Sequence, residues 1–378
     1  DLTLGYRYAD YSTVGGVDSY KAELVWQPLN PVSVRGSYQR AVRAPSVYEL
    51  YSPQVPNFPS LNSTPNNDPC NVASDARTGA NAAQVRQLCL DQGLPSALID
   101  GFAYANTQAE GLSGGNPDLT EETADTYTAG IVLQSWSDNP YLSGFQFSVD
   151  YYNIEISEAV GTVPARTFVS RCYDPAYNPT FALNNFYCNF FERSADNGQI
   201  INALEANANI GGYKTDGIDV QVDWASDLGP GRIGLNWIMT FVMSWEVQEL
   251  PGDPFQDLAG TAGYYGAGGS FPEEKSTFNL RYDWGGLSLT GQWRYVGEMS
   301  DIEYSNFKLD ATNYFDATVG YKFGAENGML DGFSIRAGVT NLTDEDPVIF
   351  PSYQQSNTDP TVYDILGRRY FLNLNYKF

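Results

Sequence analysis

Four cysteines, two groups of carboxylates and a series of aromatic and acidic stretches are the residues whose types and spacing could do chemistry here. The cysteines fall as two pairs, Cys70 with Cys89 and Cys172 with Cys188, each inside one of the two longest stretches between periodic segments. Read as disulfides, they close loops that face an oxidising exterior. A closed loop of roughly 15 residues contributes on the order of 3 kcal/mol in the chain-entropy model, enough to hold an excursion in shape. Zinc is the rival reading, disfavoured because CxxC spacing and histidine are both missing, and free surface thiols rank below it. The lack of any His also excludes His-based triads and His metal sites within this chain.

Asp216 with Asp219, and the run Asp344, Glu345 and Asp346, are carboxylate sets that an acid–base mechanism would use. Sequence does not set their separation, so solvated faces or cation contacts are the default reading. Tyr264, Tyr265 and Phe271 crowd one later loop, Glu303, Tyr304 and Phe307 the next, and Phe350 and Tyr353 the last. Such side chains stack on sugar rings or flat ligands, but aromatics near lipid headgroups also form a membrane girdle. Those at strand ends are read as girdle and those at loop tips as the ligand-binding candidates. With 45 acidic against 21 basic residues the formal charge is −24, and clustered Lys and Arg for phosphate are absent, so nucleic acid is excluded as a partner. Solvated acidic loops explain that charge first, divalent cations at a cell surface second.

The elements that must position these residues are strands. The last stretch alternates without a break: Tyr370, Leu372, Leu374, Tyr376 and Phe378 share one face, and Arg369, Phe371, Asn373, Asn375 and Lys377 the other. The rhythm recurs in segments long enough to cross a bilayer, where a tilted strand needs about 9–11 residues. No apolar run reaches the length of a helical span, and an aromatic share of 14 % with a mean hydropathy of −0.34 suits a membrane barrel. Twelve strands are expected: Leu2 to Tyr11, Ser19 to Gln27, Val32 to Arg40, Glu122 to Gln134, Gly144 to Ile156, Tyr213 to Trp224, a seventh through Trp245, Thr277 to Trp284, Leu287 to Val296, Tyr314 to Phe323, Phe333 to Thr340 and Arg368 to Phe378.

Between them, Val42 to Pro117, Ser157 to Ile210, Glu246 to Pro272 and Asn341 to Gly367 are long loops, and the long connections all fall at one end of the barrel. Asn81 to Gln92 reads as a short, self-packed helix inside the first. Barrels carry short periplasmic turns and longer extracellular loops, so the C-terminus is expected to be periplasmic. Arg7, Lys21, Arg35, Arg281, Arg294, Arg336, Asp150, Asp219 and Asp316 all fall opposite the apolar face, as a polar lumen requires. In the seventh strand Ile233, Leu235, Trp237, Met239, Phe241, Met243 and Trp245 are expected to share one face. One break in parity, after Tyr151, marks either a bulge or the point where that strand leaves the membrane.

Several segments, in this order, resemble the barrel of TonB-dependent outer-membrane receptors. They are Arg43-Ala-Pro-Ser-Val-Tyr-Glu-Leu-Tyr51, Gly115-Asn-Pro-Asp-Leu-Thr-Glu-Glu-Thr123 with Tyr127 and Gly130, Asp150-Tyr-Tyr-Asn-Ile-Glu-Ile156, Gly211 to Asp219, Gly338-Val-Thr-Asn-Leu-Thr-Asp344 and the terminal Tyr376-Lys-Phe378. The paired loop cysteines and Phe168-Val-Ser-Arg-Cys172 resemble a proteobacterial subset often used for oligosaccharides.

The resemblance implies an all-β fold, a transmembrane antiparallel β-barrel in which residues 1–378 supply about 12 C-terminal strands of a larger plugged barrel of about 22 strands. The plug, the TonB box and the first strands would lie outside this chain, which begins inside an alternating run and so reads as part of a longer, exported precursor. It further implies a Gram-negative outer membrane with its lipid and lipopolysaccharide, the TonB complex as energy source through that missing N-terminal region, and the barrel-assembly machinery reading Tyr376 and Phe378. No cofactor, metal or enzyme activity is expected. Active import of a scarce ligand is the leading function. An oligosaccharide is preferred, a siderophore or cofactor comes second, and a passive porin or a surface-structural barrel is the alternative.

Overall fold

The computed structural model describes residues 1–61, 68–104, 108–264, 269–302, 304, 306–350 and 357–377. Twelve antiparallel strands hydrogen-bond to one another in chain order, forming one continuous wall. We number them β1 (Leu2–Tyr11), β2 (Gly15–Leu29), β3 (Val32–Arg43), β4 (Glu122–Gln134), β5 (Gln146–Ser157), β6 (Gly212–Leu228), β7 (Gly231–Gln248), β8 (Glu274–Trp284), β9 (Leu287–Val296), β10 (Thr312–Lys322), β11 (Phe333–Thr340) and β12 (Arg369–Tyr376). β6 and β7 run for 17 and 18 residues, beyond the roughly 9–11 that a tilted strand needs to cross hydrocarbon. Their upper turns therefore project past the membrane. Among the described residues no helix is long and apolar enough to span a bilayer.

Among the described residues the wall has no apolar core on either side. All four clusters of buried apolar residues lie in the connections or at strand ends, whereas Leu4, Leu289 and Leu372 in the wall keep 71, 43 and 64 % of their surface exposed. A contiguous apolar face on that scale requires lipid. The opposite face is polar and self-satisfied. Arg35 donates two bonds to Asp150, at 2.6 and 2.5 Å, and Arg281 pairs with Asp283. An amide ladder crosses four strands, from Asp223 through Asn236 and Asn279 to Gln292. Tyr20, Tyr38 and Tyr127 pack side by side, their rings tilted, on the outward face, with the Tyr38 hydroxyl donating to Asp125 beside Arg40. An aromatic row topped by an ion pair is the composition of a headgroup boundary.

The parity break after Tyr151 is not a bulge. β5 pairs with β4 and β6 without a slip in register. Beyond Tyr151, Asn153 and Glu155 point outward beside Asp216 and Lys214, and Glu155 pairs with Lys214 at 3.0 Å. Ile156 points inward, packing with Tyr213 against the loops. The faces exchange polarity because above the membrane water lies outside and folded loops lie inside. The bulge sits in β7 instead: Gly217 pairs with Val242 but Asp216 with Ser244, so Met243 is the extra residue. It removes Trp245 from the outward series that runs through Phe241, correcting the single-face expectation. Trp245 turns inward and stacks on Phe271 with ring centroids 4.9 Å apart.

Two lobes crown the long-connection end. The first is built by the β3–β4 and β5–β6 connections, joined through a four-stranded sheet of Val55–Asn57, Gly111–Gly114, Ala203–Asn209 and Val160–Thr162. It carries helices α1 (Val47–Tyr51), α2 (Asp75–Thr78), α3 (Ala82–Asp91) and α4 (Ala165–Cys172). α3 is the expected short helix, and it buries Val85, Leu88 and Cys89 in the lobe's own core. The second lobe comes from the β7–β8, β9–β10 and β11–β12 connections, with Gly269–Phe271, Thr261–Tyr264, Met299–Asp301 and Lys308–Leu309 as its sheet.

Candidate functional site

The candidate ligand-facing surface is the rim these lobes present at the long-connection end. At the top of β3, Ser46 caps α1: its hydroxyl accepts from the Glu49 amide while the Glu49 carboxylate accepts from the Ser46 amide, a capping box. Arg43 fixes the helix to the wall, donating to Glu49 at 2.9 and 3.0 Å and also to Glu122. The Arg43 guanidinium holds the Glu49 carboxyl down at about 2. Asn116 and Asn207 bind the Glu49 carbonyl from the two neighbouring segments, and Gly115 lies so close that a Cβ there would meet the Leu50 carbonyl at 2.7 Å. So anchored, α1 buries Leu50 and leaves Tyr48 and Tyr51 exposed at 77 and 60 %, with Phe58 exposed nearby in sequence. Sequence reasoning did not select these aromatics as candidates. The signal was present, a Ser-x-x-Glu cap spanning Ser46 to Glu49 with tyrosines at 48, inside it, and 51, just after it.

Both expected disulfides form, Cys70–Cys89 and Cys172–Cys188, with Cα separations of 5.9 and 4.9 Å. They share one core rather than stapling two separate loops. Tyr173 bridges them: its hydroxyl lies 3.1 Å from the Cys70 sulfur and donates to the Gln92 side-chain carbonyl, whose amide reaches the Cys172 sulfur at 3.4 Å. Burial pushes the Tyr173 phenol up to about 12, so it stays neutral. The lobes meet where Arg171 of α4 donates to Asp253 and Thr167 donates to Glu249, both acceptors in the β7–β8 connection.

The eight aromatic and acidic candidates are divided by the structure. Tyr265, Glu303 and Tyr353 lie outside the described residues, and Tyr264 ends the strand Thr261–Tyr264. Tyr304 and Phe307 are exposed at 44 and 38 %. Phe271 is held against Trp245. Phe350 is not at a tip: it has no exposed surface and packs with Ala262, Leu309 and Tyr363 in the core of the second lobe. Apolar collapse of three loops onto one another buries it, which a reading confined to its own loop does not anticipate. Tyr376 closes β12 opposite Phe333, and Phe378 lies outside the described residues.

Neither carboxylate set forms an acid–base site. Asp216 and Asp219 point to opposite faces of β6, the first accepting from Tyr151 at 3.2 Å and the second from Thr240 at 2.7 Å. Asp344 and Glu345 belong to a turn in which Asn341 bonds the Glu345 backbone in both directions and Asp344 accepts from the Arg368 amide.

Residues 1–342 match the family model described as TonB dependent receptor-like, beta-barrel. The chain belongs to the TonB-dependent receptor barrel family. Barrels of this family lie in the outer membrane. No protein of curated function matches the sequence. Among solved structures, TonB-dependent barrels similar to this one include the siderophore receptor PirA from Acinetobacter baumannii, at 17 % identity and a TM-score of 0.58, covering all of this chain and 43 % of PirA. A mutant of the ferric enterobactin receptor PfeA from Pseudomonas aeruginosa follows at 14 % and 0.59, with 42 % of its length covered. The FrpB iron transporter from Neisseria meningitidis gives 14 % and 0.53, with 43 % covered. This chain thus spans about two fifths of the length of those TonB-dependent receptors, and at such identities the likeness is one of fold.

Proposed function

We propose that this chain is the C-terminal, loop-bearing part of a receptor that imports a scarce ligand across the outer membrane, driven by the TonB complex through a region outside the chain. The wall would complete a barrel of about 22 strands around a plug. Its long connections face the exterior, its C-terminus faces the periplasm, and lipid and lipopolysaccharide surround its apolar face. Tyr376 and Phe378 are read by the assembly machinery. No bond is made or broken in this reading.

For the ligand we favour an uncharged oligosaccharide. The observation that carries this is how the basic side chains of the lobes are used. Arg43, Arg77, Arg86, Arg171, Arg193 and Arg368 are each engaged by a carboxylate, while Tyr48, Tyr51, Phe58, Tyr304 and Phe307 are exposed for stacking. A strongly anionic ligand would have to compete with those carboxylates. A siderophore or cofactor is the second reading, favoured by the ligands that the similar solved receptors are named for.

The test is the compound retained by the purified full-length receptor, identified by mass spectrometry, followed by its labelled uptake in cells. Retention of a glycan, with saturable uptake abolished by collapsing the inner-membrane potential, supports the proposal. An iron chelate in its place supports the second reading. Linear uptake indifferent to the potential would make the barrel a porin, and no uptake defect on deletion would leave only a structural or adhesive role.

A further inference from the structure

The disulfide-closed stretch of the β5–β6 connection differs in chemistry from its surroundings. Between Asp174 and Glu192, from Pro175 to Phe191, it holds no charged residue, in a chain whose formal charge is −24. Its backbone is also strained. Phe181 stands at φ +50°, in the left-handed region that a bulky side chain rarely enters. The buried Asn178 enforces that turn. The Phe181 amide donates to the Asn178 carbonyl at 3.0 Å, while the Asn178 side chain accepts from the Ala182 amide at 3.0 Å and donates to the Ala182 and Cys172 carbonyls at 3.2 and 2.7 Å. The chain then enters a short 3-10 helix, Phe186–Phe190, capped by the Asn185 side chain, which accepts from the Tyr187 amide at 3.0 Å. Phe190 stacks on Phe168 of α4 with ring centroids 4.0 Å apart, and α4 carries the Arg171 that meets Asp253 of the β7–β8 connection. Phe186 stands on this array with 60 % of its surface exposed, meeting Tyr187 and Phe190 edge to face. Residues three apart eclipse one another in a 3-10 helix, so Asn189 stands in line with Phe186. Asn184 and Asn189 are both exposed, and neither side chain has a hydrogen-bond partner among the described residues.

A flat ring held rigid and uncovered, in line with an unspent side-chain amide and within a stretch free of charge, has the composition that receives a sugar. The ring takes the C–H face of a pyranose, and the amides donate to and accept from its hydroxyls. An ionised ligand finds no counter-charge in the stretch, so the match is to an uncharged one. We propose that Phe186, Asn189 and Asn184 form a subsite for one pyranose unit of an uncharged glycan. This rests on the import reading and deepens it, by naming residues of the β5–β6 connection that receive the ligand. The strained turn has a purpose in that setting. Side chains fixed beforehand lose little freedom on binding, so holding Phe181 in an unfavourable conformation and anchoring Phe190 on α4 serve affinity for a ligand that offers no charge.

The test uses the complete receptor, purified in detergent and screened on an array of uncharged glycans, with ferric enterobactin as a separate probe. Calorimetric titration with the glycan that binds is expected to saturate. Phe186→Leu keeps an apolar side chain but no flat ring, and should weaken that glycan at least about tenfold, whereas Phe186→Tyr keeps the ring and should bind like the native protein. Asn189→Ala should lose about fivefold. Asp138→Asn, in the short turn at the far end of β4, should change nothing. If F186L loses the native proteolytic pattern of the first lobe, the exposed Asn189 decides the matter through N189A. Equal glycan affinity in the native protein, F186L and N189A would overturn the subsite and leave glycan import standing. An F186Y as weak as F186L would assign the ring to packing and overturn it as well. A receptor that binds no glycan of the array also overturns the subsite, and if ferric enterobactin binds in its place the glycan reading of the import function falls with it.

Discussion

Arg193 and Asp68, 125 residues apart in the chain, meet in a two-point ion pair at 2.6 and 2.8 Å with both side chains wholly buried. Each comes from a different long connection, so the pair helps to make one lobe of two loops. Removing one member of a buried pair strands the other charge, at a cost of about 3–5 kcal/mol. Asp68→Ala should therefore loosen both connections while the wall, held by its own ladders, keeps its thermal transition. Limited proteolysis of intact cells should show new cuts in residues 68–104 and also in 165–203; cuts in the first segment alone would refute the coupling.

The two disulfides should fail together for the same reason. Cys70–Cys89 and Cys172–Cys188 close loops with separations of 19 and 16 residues and share one core. Each is worth on the order of 3 kcal/mol to its loop. Cys172→Ser is expected to make the Cys70 segment protease-sensitive as well as its own, and mild reduction of the native receptor should expose the same two segments. A C172S variant with native protection around Cys70 would contradict the shared core.

Side-chain direction in the wall can be tested by one pair of neighbours. Leu289 faces outward beside Tyr282 and Val319, whereas Thr290 faces the lumen beside Arg281 and Thr318. Arginine toward lipid costs about 2–4 kcal/mol at the bilayer midplane and little toward water. Leu289→Arg should lower the amount of folded, heat-modifiable receptor in outer-membrane fractions well below that of Thr290→Arg. Equal yields would be evidence against the assigned faces.

The α1 rim carries an acid-sensitive contact. The Glu49 carboxyl, ordinarily near 4.5, is held at about 2 by Arg43 in the folded state. A depressed carboxyl contributes stability above its unfolded value and loses it as pH falls through the folded one. Backbone protection of residues 46–51 should thus be level above about pH 4.5 and decline between there and pH 2. Hydrogen exchange read by mass spectrometry checks this, and Glu49→Gln should be less protected at neutral pH and show no such decline. A native segment whose protection is flat across that window would remove the role given to Arg43.

The sequence by itself determined the wall. β1, β4, β9 and β11 have the bounds that alternation alone predicts, because lipid on one side and water on the other dictate each residue's polarity by its parity. Paired cysteines and the α3 periodicity were legible for the same reason: each is a local pattern. The tertiary structure decided the rest. Placing the bulge at Met243, and not near Tyr151, requires knowing which residues of β6 and β7 face each other. The union of both disulfides in one lobe, the meeting of Arg193 with Asp68, and the burial of Phe350 all arise between loops distant in sequence. Above the membrane no bilayer imposes a side on each residue, so only the packing of one connection against another settles which side chains face ligand and which disappear into a core.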